Sequence, residues 1–162
     1  MMPMRRGLAV LALLLALLAG CATQPQYLSQ EQISPEFSCR AAVTSASGEW
    51  DAAVSHTAEN GFSCEGEAVS YYWSGGQFYE SCAGLESPKG SCTLPKTSYA
   101  LQLKEFLTEI YEGTLEPVDG ETLKGSCAFG TFLVKADGNS GALREIRCDG
   151  AGFRAVFYTP QT

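Results

Sequence analysis

Residues 127–158 read CAFGTFLVKADGNSGALREIRCDGAGFRAVFY, and the fold class turns on this stretch. Two apolar-rich runs, 127–134 (CAFGTFLV) and 142–148 (ALREIRC), flank Lys135-Ala136-Asp137-Gly138-Asn139-Ser140-Gly141, which is dense in turn-forming residues. Asp149-Gly150-Ala151-Gly152 then leads into Phe153–Tyr158, where Phe153, Ala155 and Phe157 alternate with Arg154, Val156 and Tyr158. Three strands joined by short turns form an antiparallel meander.

Upstream, Thr97–Glu112 changes the period. Tyr99, Leu103, Phe106, Leu107, Ile110 and Tyr111 recur at helical intervals, while Lys104, Glu105, Glu109 and Glu112 mark the other face. Thr97 or Ser98 caps the start of this helix and Gly113 its end. Residues 114–126 read as a loop, as does Ala83–Lys96. Phe62–Trp73 and Gln77–Cys82 read as strands joined at Ser74-Gly75-Gly76, and Phe37–Val43 as a further strand. Glu49–Asn60 is ambiguous: Trp50, Ala53, Val54 and Thr57 have helical spacing before Asn60-Gly61, which would equally make a hairpin turn, and the reading adopted is a short helix. The expected class is α+β: a small, disulfide-stabilised antiparallel sheet of hairpins with one amphipathic helix packed on it.

The N-terminus has its own logic. Arg5 and Arg6 precede an Ala/Leu/Val stretch from Leu8 to Leu18, too short to cross a hydrocarbon core that needs about 20 residues. The following Leu18-Ala19-Gly20-Cys21 resembles the lipobox of bacterial lipoproteins. That resemblance implies cleavage before Cys21, a diacylglycerol on its sulfur and acylation of the new amine. Several acyl chains together hold a protein where one is marginal, at about 0.8 kcal/mol per buried methylene. Ala22, where an aspartate would favour inner-membrane retention, implies the outer membrane. The expected organisation is a signal peptide at 1–20, a lipidated Cys21 and flexible tether at 21–36, and one globular periplasmic domain at 37–162. No second membrane-length apolar run follows.

Cleavage removes Arg5 and Arg6 and no acid, so the formal charge moves from −7 to −9. An acidic chain of this kind is a poor nucleic-acid binder, since phosphates call for a basic face. The remaining cysteines, Cys39, Cys64, Cys82, Cys92, Cys127 and Cys148, are an even set in an exported chain, which suggests three disulfides. They lack the close C-x2-4-C spacing of a metal site, and the one histidine cannot complete a Cys/His set. The midpoint of Cys127 and Cys148 falls between Asp137 and Gly138, which would pair them across the hairpin. That of Cys64 and Cys82 falls at Trp73, about two residues short of the turn; Cys39–Cys92 follows by elimination. Cys39–Cys64 with Cys82–Cys92 is the alternative.

Catalytic chemistry finds little footing. His56 beside Ser55, with Asp51 nearby, does not resemble a nucleophile elbow. Glu65, Glu67 and Glu80 would suit a carboxylate-based hydrolase, but solvated strand-face acids are the simpler reading. Two features point to binding. Tyr72, Trp73, Phe78 and Tyr79 surround a Gly-Gly tip, with strand alternation dividing Tyr71 and Trp73 from Tyr72. Glu105, Glu109 and Glu112 belong to an acidic run that could dock a basic partner. No catalytic residue, metal or cofactor is expected. The expected function is a membrane-anchored envelope module that binds or assembles with a protein partner; the alternative is an inhibitor or immunity protein against a periplasmic hydrolase or toxin.

Overall fold

Alternation of small and apolar residues with polar ones builds most of the molecule. The structure, a computed structural model, describes residues 26–57, 61–83 and 90–159; the signal peptide and Cys21 lie outside the described residues. Within these, eleven strands form one antiparallel sheet: β1 (Phe37–Ser45), β2 (Gly48–Thr57), β3 (Gly61–Glu65), β4 (Val69–Ser74), β5 (Gln77–Cys82), β6 (Gly90–Cys92), β7 (Glu116–Pro117), β8 (Thr122–Cys127), β9 (Gly130–Ala136), β10 (Leu143–Cys148) and β11 (Phe153–Tyr158). One α-helix, α1 (Tyr99–Glu112), crosses between β6 and β7. The strand order is 6-5-4-3-2-1-11-10-9-8-7, so two consecutive meanders meet where β11 pairs back on β1, and the sheet is not closed. The α+β class, with a helix packed on an antiparallel meander, is therefore as expected. No helix among the described residues is long and apolar enough to cross a membrane.

Both meanders press on the helix. Phe106, fully buried, meets Phe132 of β9 at 5.1 Å and Phe153 of β11 at 4.9 Å between ring centroids. Tyr99 stacks on Trp50 of β2 at 4.6 Å and meets Tyr71 of β4 edge-on. Leu103, Leu107 and Ile110 complete the buried stripe. Ser98 and Gly113 flank the helix as expected, although the Ser98 side chain makes no capping bond. Gln102 is also buried, and its Oε1 has no hydrogen-bond partner among the described residues.

Within the expected loop Ala83–Lys96, Gly90–Cys92 forms β6 against β5, and four further expectations change. Residues 49–57 are strand β2, not helix: Trp50, Ala52, Val54 and His56 alternate toward α1, and tertiary burial of that face outweighs the helical spacing. Residues 58–60 lie outside the described residues. Phe62–Trp73 breaks into two strands at Gly66–Ala68. The loop expected at 114–126 holds β7 and β8, whose core face depends on Leu123 and on Gly125; a Cβ there would sit 2.5 Å from both Leu115 and Phe132.

The fourth change is at the tether. Leu28 is 1% and Ile33 4% exposed, so the segment expected to be a free spacer up to residue 36 is folded from about Leu28 onward. Two buried apolar side chains in an otherwise polar run suffice to anchor it. The Gln30 side chain secures it by donating to the carbonyls of Ile110 and Gly113 and accepting from Leu115 N–H. Ser34 N–H donates to Gly141 O at 2.9 Å. Gly141 needs its positive φ of 70° and its bare Cα, since a Cβ would lie 2.0 Å from Gln32 O.

The six cysteines are thiols in this structure. Strand alternation turns all of them toward the helix side. Cys64 faces Val54 and Tyr71, Cys82 faces Val69, and Cys39 and Cys92 stand on β1 and β6. Cys127 and Cys148 lie on β8 and β10 with β9 between them, because the β9–β10 hairpin begins at Gly130 and pairs Leu133 with Arg147. Phe129 N–H points at Cys127 Sγ and Cys148 Sγ at Phe129 O, each at 3.5 Å, so one residue touches both sulfurs.

Candidate functional site

The expected aromatic cluster divides between the two faces of the sheet. Trp73 and Phe78 face each other across β4–β5 on the helix side, rings 4.9 Å apart, with Phe78 buried beneath. Tyr72 and Tyr79 face each other one residue away and point outward. This is the separation that strand alternation implies for Tyr71 and Trp73 against Tyr72.

On the helix side, Trp73 lines a cleft of about 630 Å³ between α1 and strands β2–β4. Phe62 and Leu107 make its floor. Lys104 Nζ sits 4.0 Å above the Trp73 ring and 3.0 Å from Glu105 Oε1. On the opposite wall His56 stacks on Tyr111 at 4.3 Å. His56 Nδ1 lies 3.0 Å from Pro35 O, which fits an N–H donating to that carbonyl with Nε2 left as an acceptor. Tyr111 donates its hydroxyl to Ser34 O at 2.9 Å, and burial pushes its phenol pKa up. Glu112 stands on the rim.

Glu105 and Glu109 do not join this cleft. They lie toward Cys127, whose thiol is pushed up mainly by burial and further by Cys148 and these two carboxylates. The acidic helix face is thus split, with Glu112 beside the aromatic cleft and the other two on the opposite flank.

The groups considered for catalysis point apart. Ser55 and Asp51 face outward from β2 while His56 faces the helix, and Ser55 Oγ bonds Ser63 Oγ at 2.6 Å. Glu65 ends β3 on the outer face, Glu67 lies in the turn beyond it, and Glu80 on β5 has helix-side parity. Asp51 instead accepts from the Tyr158 hydroxyl and from Arg40, and the Tyr158 bond foremost, then Arg40, lowers its pKa. Burial pushes the Cys64 thiol up to about 12, beside the Tyr99 hydroxyl, which leaves it mostly uncharged and a poor nucleophile at neutral pH. Among the described residues, no three His, Cys, Asp or Glu side chains converge as a metal ion would need.

The outer face carries a pattern that one-dimensional reading misses. Cα partners run Ser38–Ser55–Ser63–Tyr72–Tyr79–Ser91 across β1 to β6 in a single row. Ser70 and Ser81 pair in the next row. Ser55 and Ser63 bond to each other across β2–β3, which supports the sheet, while Ser38 and Ser91 at the two ends of the row are exposed. The neighbouring half of the same face has the cations: Lys124, Lys135, Arg147, Arg154 and Arg40, each beside a carboxylate. Exposed pairs of this kind contribute about 0–1 kcal/mol each, but they neutralise that half locally.

No family model matches the chain, and no curated protein is similar to it.

Proposed function

We propose that the chain is a lipid-anchored bacterial envelope protein, held through Cys21 in the outer membrane and facing the periplasm, that works as a non-catalytic binding or assembly module. The anchor rests on the lipobox-like Leu18-Ala19-Gly20-Cys21. The binding role rests on one observation, the uncharged Ser/Tyr row from Ser38 to Ser91 on the sheet face opposite the helix. Tyrosine presents a large, rigid, amphipathic contact at low entropic cost, and serine supplies adaptable hydrogen bonds; recognition surfaces combine the two for this reason. In a chain of net charge −7 before cleavage, a neutral polar face fits an envelope protein with an uncharged polar surface.

A second reading is favoured by the cleft. Trp73 and Tyr111, with Glu112 at the rim, would receive a protruding basic loop of a hydrolase or toxin, as an inhibitor or immunity protein does.

One comparison separates the two. Full-length wild type, a Ser63→Arg/Tyr72→Arg variant and a Trp73→Ala/Glu112→Lys variant are cross-linked in intact envelopes after circular dichroism has shown that all three are folded. Loss of the adduct in the first variant alone supports the sheet-face module. Loss in the second alone overturns it in favour of the inhibitor reading. An adduct unchanged in both, or absent from wild type, sinks both.

A further inference from the structure

The described chain begins where two turns of the second meander converge. Gln26 O lies 3.0 Å from the Cβ position of Gly120, in the β7–β8 turn, and Leu28 N–H donates to Asp119 O at 3.0 Å. Gly138 of the β9–β10 turn sits against Gly120 O, and Ser34 bonds Gly141 of the same turn. The chain therefore enters the domain along the tips Val118–Glu121 and Asp137–Gly141.

Tyr27 is 53% exposed and Val118 47%, two of the four large hydrophobic side chains that stand out in solvent among the described residues. Each immediately precedes in sequence one partner of the Leu28–Asp119 hydrogen bond. Nothing in the packing of the domain calls for a valine and a tyrosine there.

Covalent geometry sets the distance to the anchor. Residues 22–25 separate Cys21 from Gln26, and five Cα steps span at most about 18 Å. The lipid therefore holds the two turns close to the headgroup layer.

We infer that the tips Val118–Glu121 and Asp137–Gly141, with Tyr27 and Val118, form a membrane-docking surface that rests on the interface of a zwitterionic phospholipid bilayer. The inference depends on the lipid-anchor reading above. Tyrosine suits such a boundary because its ring is apolar and its hydroxyl polar. The charge at this end gives no basic patch for an anionic surface: Asp137 accepts from Asn139 and Ser140 N–H and pairs with Arg144, Asp119 accepts from Glu121 N–H and feels Lys135, and Glu121 is exposed. Docked this way, β8–β11 stand away from the bilayer, and the turns at Cys127–Gly130 and Asp149–Gly152 point outward.

The test uses full-length protein carrying p-benzoylphenylalanine at residue 27, 118 or 150, purified from envelopes and reconstituted in vesicles of zwitterionic phospholipid. Gly150 is the control, at the other end of the same strands with open space around it. Intact mass is read first: absence of acyl chains on Cys21 overturns the anchor reading itself. With acylation present, light should yield an adduct of phospholipid mass at 27 and 118 several-fold above that at 150. Equal yields at all three positions, or none, overturn the docking surface while leaving the anchor standing. A yield that rises when anionic lipid is added overturns the zwitterionic assignment.

Discussion

The imidazole of His56 on β2 lies flat against the phenol ring of Tyr111 on α1, centroids 4.3 Å apart and planes 12° from parallel. At the other end of the same two elements Trp50 stacks on Tyr99 at 4.6 Å and 22°. Six strand residues and twelve helical residues cover nearly the same length, about 20 and 18 Å, so the helix runs along β2 and is clamped at both ends. In a double-mutant cycle on His56→Ala and Tyr111→Ala, measured by urea denaturation, the coupling should be about 0.5–1.5 kcal/mol. Tyr111→Phe should cost about 1 kcal/mol through the lost bond to Ser34 O. Strict additivity of the two alanine variants would refute the clamp.

Leu28 tests where the domain starts. With 1% exposure in the core, Leu28→Ala should lower stability by about 2–5 kcal/mol. An unchanged urea midpoint would return the segment to the status of a free tether. Gly141→Ala, which would drive a Cβ into Gln32 O, should destabilise the same junction.

Gln102 offers a gain. Its Oε1 is buried without a partner among the described residues, a state that costs about 1–3 kcal/mol. Gln102→Met keeps the volume and helix propensity and should raise the thermal midpoint. A fall would mean that the amide has a role its bonding does not reveal.

Asp137 gives a pH signature. Backbone N–H groups of Ser140 and Asn139, then Arg144, hold its pKa down at about 2. A depressed carboxylate contributes stability that is present above its unfolded pKa near 4 and is lost as pH falls toward 2. Asp137→Asn should remove that part of the acid transition, seen as a shallower fall in stability between those two values. An identical acid profile would refute the assignment.

If the chain is exported as proposed, Cys127 and Cys148 are the pair to watch, since both sulfurs touch Phe129. Oxidation would join Sγ to Sγ, passing two electrons and two protons to the disulfide of an envelope thiol oxidant, with a local shift of the Cys127–Gly130 turn. Peptide mapping of non-reduced protein should link 127 to 148, and the Cys127→Ser/Cys148→Ser variant should lose about 2–4 kcal/mol. Recovery of both as alkylatable thiols from the periplasm would rule this bond out.

The elements legible in the chain were those whose own period was unbroken. Tyr99–Glu112 shows its stripe because seven of its residues are buried on a continuous face. Phe153–Tyr158 shows its alternation because one side of β11 is core and the other solvent. Residues 49–57 misled because Trp50, Ala53, Val54 and Thr57 have a helical spacing by coincidence, whereas burial selects Trp50, Ala52 and Val54. β8 went unread because its core face includes a glycine chosen for the room it leaves to Leu115 and Phe132. Of the candidate site, the separation of Tyr72 from Trp73 was visible in alternation, but the Ser/Tyr row was not. Ser38 and Ser91 become parts of one surface only when six strands pair.

By itself, then, the sequence determined the local periods, the turns and the α+β class. Those are set within a few residues, by backbone sterics and by which side chains avoid water. The tertiary structure decided the registers, and with them everything that depends on distant partners. It joined two meanders through β1 and β11, set Phe129 between Cys127 and Cys148, drew Leu28 into the core and gathered eight serines and tyrosines onto one face. Register depends on the summed burial of whole strands against one helix, a free energy that no single stretch of sequence contains.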